Sequence, residues 1–338
     1  MKWSVIIVST IIFFNCSKPF NIPDDLPLEY NIPSGFPEVT FPKGSEPTLL
    51  RAQLGRIFFY DKRLSANQEV SCGTCHALSA AFTDGKNLPI GLSGIPGKRN
   101  VPTLTNVGYQ PYLLFEGGVP TLETQALVPL HDSLEMGMNM MNAVAKLNED
   151  EYLRALTKKA YQRDSIDPWV VTRSLAIFQR MFISGDSSFD RYKRGQKDAM
   201  SEAAIRGMNL FFSDRTQCGS CHGGTFFTDY AFYDIGIHSM DDAGRFRVTH
   251  QPADSGKFKT PTLRNIAITS PYMHDGSIKS LDDVLAYYNR GGDDSPRKDP
   301  RIRELNLSEI ELAELKEFLD GLTDWNFVQD ERLLPLIQ

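Results

Sequence analysis

The chain has 338 residues, a formal net charge of −6, and ordinary apolar and charged content. A length beyond what one core usually serves implies two domains, and the acidic balance leaves no electrostatic footprint for nucleic acid. With five cysteines, four of them spent on two short motifs, no disulfide framework is available.

Residues 1–16 read as a lipoprotein-type signal segment. Met1-Lys2 precedes an apolar run from Val5 to Phe14, too short to span a bilayer, and Asn15-Cys16-Ser17 follows. Cleavage before Cys16 and its acylation would anchor the mature protein to a membrane; an ordinary secretory signal with Cys16 near the cut by chance is the alternative. Both place the protein outside the cytoplasm, in the periplasm or cell envelope. Residues 17–46 carry Pro19, Pro23, Pro27, Pro33, Pro37 and Pro42 and read as an extended tether or wrapping arm. From Pro47 the pattern turns helical, with Leu49, Leu50, Leu54, Ile57 and Phe58 at helical spacing as far as Asp61.

That helix leads into Cys72-Gly-Thr-Cys75-His76, a C-x-x-C-H motif that recurs 146 residues later as Cys218-Gly-Ser-Cys221-His222. The pattern is the attachment signature of haem c. Two thiols bond the porphyrin edge and the adjacent histidine supplies the proximal iron ligand. A shared zinc site would need four ligands drawn from both pairs and leaves the repeated histidine unexplained. The reading is therefore two covalently bound haems.

Between Ala80 and Pro129 the chain is cut into short pieces by glycine and proline, and loops of this length are usually functional. Helical pattern resumes from Met138 to Tyr161 and from Pro168 to Ile183. The polar stretch from Ser184 to Asp190 is the expected boundary, giving domains at 47–185 and 186–338. The second half repeats the plan, with a helix over Ser201 to Phe212, the motif, a loop-rich region to Pro271, and helices over Leu281 to Tyr288 and Ser308 to Leu322. The charges between Glu304 and Glu317 read as a solvated helix face. No alternating sheet pattern stands out. The expected fold is mainly α, with two cytochrome c-like domains, each wrapped with long loops around one covalently bound haem c.

From Gly55 to Gly292 the sequence resembles the bacterial di-haem cytochrome c peroxidases and the related MauG enzyme that matures methylamine dehydrogenase. The resemblance rests on residues 59–65 (Phe-Tyr-Asp-Lys-Arg-Leu-Ser), both haem motifs, Arg99 to Leu104, Glu135-Met-Gly, Phe258 to Asn265, and Pro271-Tyr-Met-His-Asp-Gly. It implies that H2O2 is cleaved at the His76 haem while the His222 haem relays electrons from a small c-type cytochrome or cupredoxin. Matched by motif, Glu135 is the acid/base that moves a proton between the peroxide oxygens, with Gln125 and Pro129 beside it. The position of the family's blocking histidine is Leu92, which cannot bind iron, so the His76 iron is expected to be open. Counting from His274 to the family's distal methionine arrives at Tyr288, a candidate distal ligand of the second haem, as in MauG. Tyr288 as a helix core residue beside Tyr287, with Met273 or Lys257 ligating instead, stays open.

The tryptophan between the family's haems is Phe115 here, and the surface tryptophan of MauG before the second motif is Thr216. Both replacements weigh against long-range oxidation of a protein substrate. The resemblance also implies a calcium ion at Asn100, Thr269 and Pro271, a place for His274 in the haem environment, and a possible homodimer. His131, His238 and His250 read as ordinary structural or surface residues. A MauG-like enzyme oxidising a partner protein and a non-catalytic electron carrier are the competing expectations.

Overall fold

The computed structural model describes residues 20–237 and 242–336, so the stretch read as a signal segment, with Cys16, and His238 lie outside the described residues. Among the described residues no helix is long and apolar enough to cross a membrane. Two hydrophobic cores organise the chain, one in each half.

The first core forms where the Leu49–Tyr60 helix crosses the Pro168–Gln179 helix. Thr48 starts the former by accepting a hydrogen bond from the Arg51 N–H, and Asp167 with Pro168 starts the latter. Leu50, Leu54 and Phe58, four residues apart, bury one face of the first helix. Gly55 makes the crossing possible, because a Cβ there would lie 1.9 Å from the Ser174 carbonyl oxygen. The second helix stops at Gln179 instead of Ile183. The expected continuous helix from Met138 to Tyr161 is two, Met140–Leu147 and Glu151–Tyr161. Asn148 interrupts it with amide bonds to the Val144 and Ile166 carbonyls, and Asp150 caps the next helix at the Leu153 N–H.

The second core repeats the device. Glu202–Phe211 crosses Glu309–Asp320, whose start is a capping box of Ser308 and Glu311, and a Cβ on Gly207 would lie 1.8 Å from the Glu314 carbonyl oxygen. The supposed solvated face near the C-terminus is thus only half so, since Leu315, Phe318 and Leu319 bury the other half. The Leu281–Asn289 helix runs one residue past its expected end. One small antiparallel pair interrupts the helical character, Phe232–Tyr233 against Phe258–Lys259, with Phe232 opposite Lys259.

Beyond each motif the halves keep one register, at a constant spacing of 159 residues. Asn106 and Asn265 are both left-handed, at φ 56° and 62°. Leu113 pairs with Val119 as Tyr272 pairs with Ile278. Thr121 and Ser280 then cap the helical segments that follow. The halves meet through a crossed pair of backbone bonds between equivalent positions: Asn100 N–H to His274 O at 2.9 Å, and Lys259 N–H to Phe115 O at 2.8 Å.

The junction near 184–190 is pinned from the far end of the chain. Asp324 accepts hydrogen bonds from Ser184 Oγ and from the Gly185 and Asp186 N–H groups. After it, Phe327, Val328 and Leu333 enter the first core, and Tyr60 donates to the Leu333 carbonyl at 2.6 Å. The first half is therefore completed by residues near the end of the chain. From the other end, Phe36 of the proline-rich arm lies edge-on against Tyr109 of one half and Phe226 of the other.

Candidate functional site: two C-x-x-C-H motifs on one cavity

Both motifs sit at the end of the helix that leads to them. Gly73 lies under the Tyr60 ring, where a Cβ would approach to 2.3 Å, and Gly219 lies under the Phe212 ring, where it would approach to 2.4 Å. The residue after the first cysteine is glycine for the same steric reason in each half.

His76 Nδ1 is 2.7 Å from the Phe82 carbonyl oxygen, and His222 Nδ1 is 3.2 Å from that of Phe227. A carbonyl can only accept, so Nδ1 carries the proton and Nε2 keeps its lone pair. The Pro261 backbone also faces the His222 imidazole, whereas the His76 ring has the Phe82 carbonyl as its hydrogen-bond partner. Burial lowers both imidazole pKa values, favouring the neutral form that ligates metal.

The two motifs open on one continuous cavity of about 710 Å³. Interiors are otherwise close-packed, with voids rarely larger than a water. Paired thiols, an imidazole lone pair aimed inward and this volume fit a covalently held haem at each motif.

Most of the residues singled out from the sequence line that cavity: Gln125, Pro129 and Glu135 on the His76 side, Phe115 and His274 at the junction, and Tyr288 on the His222 side. Glu135 is half-buried, and burial, followed by the nearby Asp132, raises its carboxyl above the ordinary range. Its loop is tightly held: the Glu135 N–H bonds the Asp132 carbonyl, and its own carbonyl accepts from Leu92 N–H at 2.9 Å. Leu92 itself is not a cavity wall; its side chain lies over Gly137, at φ +56°.

Tyr288 is half-buried, and burial followed by the neighbouring Cys218 raises its phenol pKa. Tyr287 points away, donating to the Ile235 carbonyl at 2.8 Å as a packing residue. Lys257 is off the cavity and lies 3.6 Å from Asp254, whereas Met273 lines it. Thr216 is buried and donates to the Leu210 carbonyl at 2.6 Å. His131 and His250 are exposed.

Asn100, Thr269 and Pro271 also meet at the cavity wall. The Asn100 amide approaches the Lys86 and Asn87 carbonyls at 2.9 and 3.2 Å, and the Thr269 and Pro271 carbonyls accept no hydrogen bond from the described residues. No cluster of three acidic, histidine or cysteine side chains suited to a metal occurs among the described residues, so such a site would rest on neutral oxygens.

A family model described as di-haem cytochrome c peroxidase matches residues 50–198. Over 94% of its length the chain is 34% identical to the methylamine utilization protein MauG of Methylophilus methylotrophus, covering 94% of that protein. The chain belongs to the di-haem cytochrome c peroxidase family.

Its two motifs are accordingly the attachment sites of two haem c groups in a two-domain, cytochrome c-like fold. Peroxidases stand among the relatives of this di-haem protein as well. It is 31% identical to the cytochrome-c peroxidase IdrP1 of Denitromonas iodatirespirans, over 88% of each chain. A crystal structure of a MauG-like protein associated with microbial copper homeostasis superposes with a TM-score of 0.85 at 32% identity, covering 90% of this chain and 98% of that one. The diheme peroxidase BthA of Burkholderia thailandensis shares the fold, with a TM-score of 0.71 at 22% identity.

Three residues of this di-haem protein were not visible as site residues in the sequence. Asp242 receives Arg99 at 2.8 Å and His274 Nε2 at 3.4 Å. Burial alone would raise its carboxyl, but the bonds from His274 and Arg99 outweigh it and hold Asp242 well below the ordinary range. Phe258 stacks on His274, with centroids 3.7 Å apart. Lys259 is buried in the cavity wall between the halves. The latter two stand in a matched motif, and only their burial against the opposite half marks them.

Proposed function

We propose that this family member reduces H2O2 to two waters, taking electrons from a small c-type cytochrome or cupredoxin, in the periplasm or on a lipid-anchored cell-envelope surface. The observation that carries the reading is a half-buried carboxyl of raised pKa, Glu135, on the same cavity as the free Nε2 of His76, with Leu92 turned aside. A haem bound through Cys72, Cys75 and His76 would supply the redox chemistry for splitting the peroxide.

Glu135 would take the proton from one peroxide oxygen and return it to the other, which would leave as water when the O–O bond breaks. Two electrons and two further protons complete the second water. Gln125 orients the peroxide by hydrogen bonding, and Pro129, which has neither N–H nor polar side chain, leaves the approach clear. Leu92 offers no ligand, so turnover needs no prior reduction. A calcium ion at Asn100, Thr269 and Pro271 would steady the junction, and a homodimer is part of the same reading.

A second reading, a MauG-like enzyme that stores two oxidising equivalents for a partner protein, is favoured by Tyr288 on the cavity beside His222. Phe115 and Thr216, in place of oxidisable tryptophans, weigh against it.

Stopped-flow mixing of ferric holoprotein with H2O2, followed by a reduced small c-type cytochrome, tests the proposal. Fast reaction and catalytic oxidation of the cytochrome are expected. Stored equivalents that ignore the cytochrome favour the second reading, and no reaction with H2O2 overturns both.

A further inference from the structure

Lys259 is 9% exposed, and its Nζ is 2.7 Å from Oε1 of Gln110, a neutral acceptor. No carboxylate stands within ion-pair distance among the described residues. Among the described residues the other buried cations are matched by carboxylates: Arg264 with Asp190 at 2.8 Å and Arg180 with Glu123 at 2.8 Å. Lys259 has the Gln110 amide and, 5.9 Å away, the face of the Tyr230 ring, neither of which carries a negative charge. A buried ammonium without an anion is costly, and burial alone brings its pKa down to about 8. Such a group calls for an anion that is not part of the polypeptide.

Its place says which anion. Lys259 lines the cavity shared by the two motifs, at the crossed backbone pair where the halves meet, with its N–H on the Phe115 carbonyl. Each haem brings two propionate carboxylates, which must be neutralised or reach water. We infer that Lys259 is the built-in counter-charge for haem propionate at the junction of the two halves, and Gln110 the amide that aims it.

The position equivalent to Lys259 in the first half, 159 residues earlier, is Asn100, whose amide faces backbone carbonyls instead. At this pair of equivalent positions only the second half carries a cation, and the neighbouring Arg99 of the first half is already matched by Glu116 and Asp242. An ammonium on a propionate raises the reduction potential of that haem, because it opposes the extra positive charge of ferric iron.

The test uses mature holoprotein. A crystal structure of the wild type is expected to bring Lys259 Nζ within hydrogen-bond distance of a propionate oxygen; finding it bonded to Gln110 alone overturns the inference without any variant. Lys259→Met, checked for two haems by pyridine haemochrome absorbance, is expected to lower one haem potential in a spectroelectrochemical titration. It should also move the propionate-bending band in the resonance Raman spectrum. Lys259→Arg should restore both. Gln110→Leu, which removes the aiming amide but keeps the charge, separates the roles. It is expected to shift the same potential and the same Raman band by no more than Lys259→Met does, and a variant that moves neither rejects Gln110 as the aiming amide. A fall in potential with no movement of the Raman band would reject propionate as the partner.

Discussion

Pro129 and Tyr288 occupy the same place in the two halves, eight residues after the capping residues Thr121 and Ser280. One scaffold thus presents a ring without donor or ligand atom on the His76 side and a phenol on the His222 side. The surroundings diverge in the same sense. Asp132 and Glu135 line the first side, while the Arg301–Asp299 pair, at 2.7 Å, and Arg303 line the second. In the first half the helical segment is broken at Ala126 into Leu122–Gln125 and Leu127–His131, whereas the second half keeps one helix, Leu281–Asn289. The duplicated fold fixes where a side chain meets the cavity, and the residue placed there sets the chemistry that side can offer.

The sharpest way to break this division of labour is Glu135→Gln. Removing a positioned acid/base costs about 10²–10⁴-fold in rate, so peroxide turnover should collapse while the visible spectra of both haems stay unchanged. Turnover within a few-fold of wild type would remove Glu135 from the mechanism. Next come the two crossings. Gly55→Ala and Gly207→Ala each force a Cβ against a backbone carbonyl, and overpacking costs about 1–3 kcal/mol. With clearances of 1.9 and 1.8 Å, the two variants should lose comparable amounts in denaturant titrations of the holoprotein, and a cost confined to one would deny that the halves use the same joint. Tyr288→Phe should change the spectrum of the His222 haem and raise its potential, because a phenolate stabilises ferric iron, and leave the His76 haem alone. An unaltered His222 spectrum would return Tyr288 to the helix core. The smallest effect is in pH. Burial raises the Glu135 pKa, so activity that needs its carboxylate should fall with acidification earlier than the ordinary range of about 4.3 allows. That acid limb should be missing from the residual activity of Glu135→Gln, and a limb retained there belongs to another group.

Much of this was legible from residue patterns alone. The repeated C-G-x-C-H with its leading helix, the periodic apolar positions and the matched motifs marked both halves, and the residues they picked out converge on one cavity. What escaped depended on contacts across long sequence separations. Lys259 has no sequence neighbour that marks it as buried, and its isolation exists only once the opposite half supplies Gln110. Asp242 gains its partners from residues 143 positions before it and 32 after it. The break at Asn148 was invisible because its side chain competes with the helix by reaching Ile166, outside any local window. The allocation of Phe327 and Leu333 to the first core follows from a chain reversal at Asp324 that periodicity does not encode.

That reversal bears on how the protein is made. Domains fold roughly in the order in which they emerge from the ribosome or translocon, and here the His76 motif emerges first. Yet the core beneath it lacks Phe327, Val328 and Leu333 until almost the whole of this sequence has been made. The earliest half to appear is the last to be sealed, so a chain terminated before Phe327 would leave its His76 half open to proteolysis.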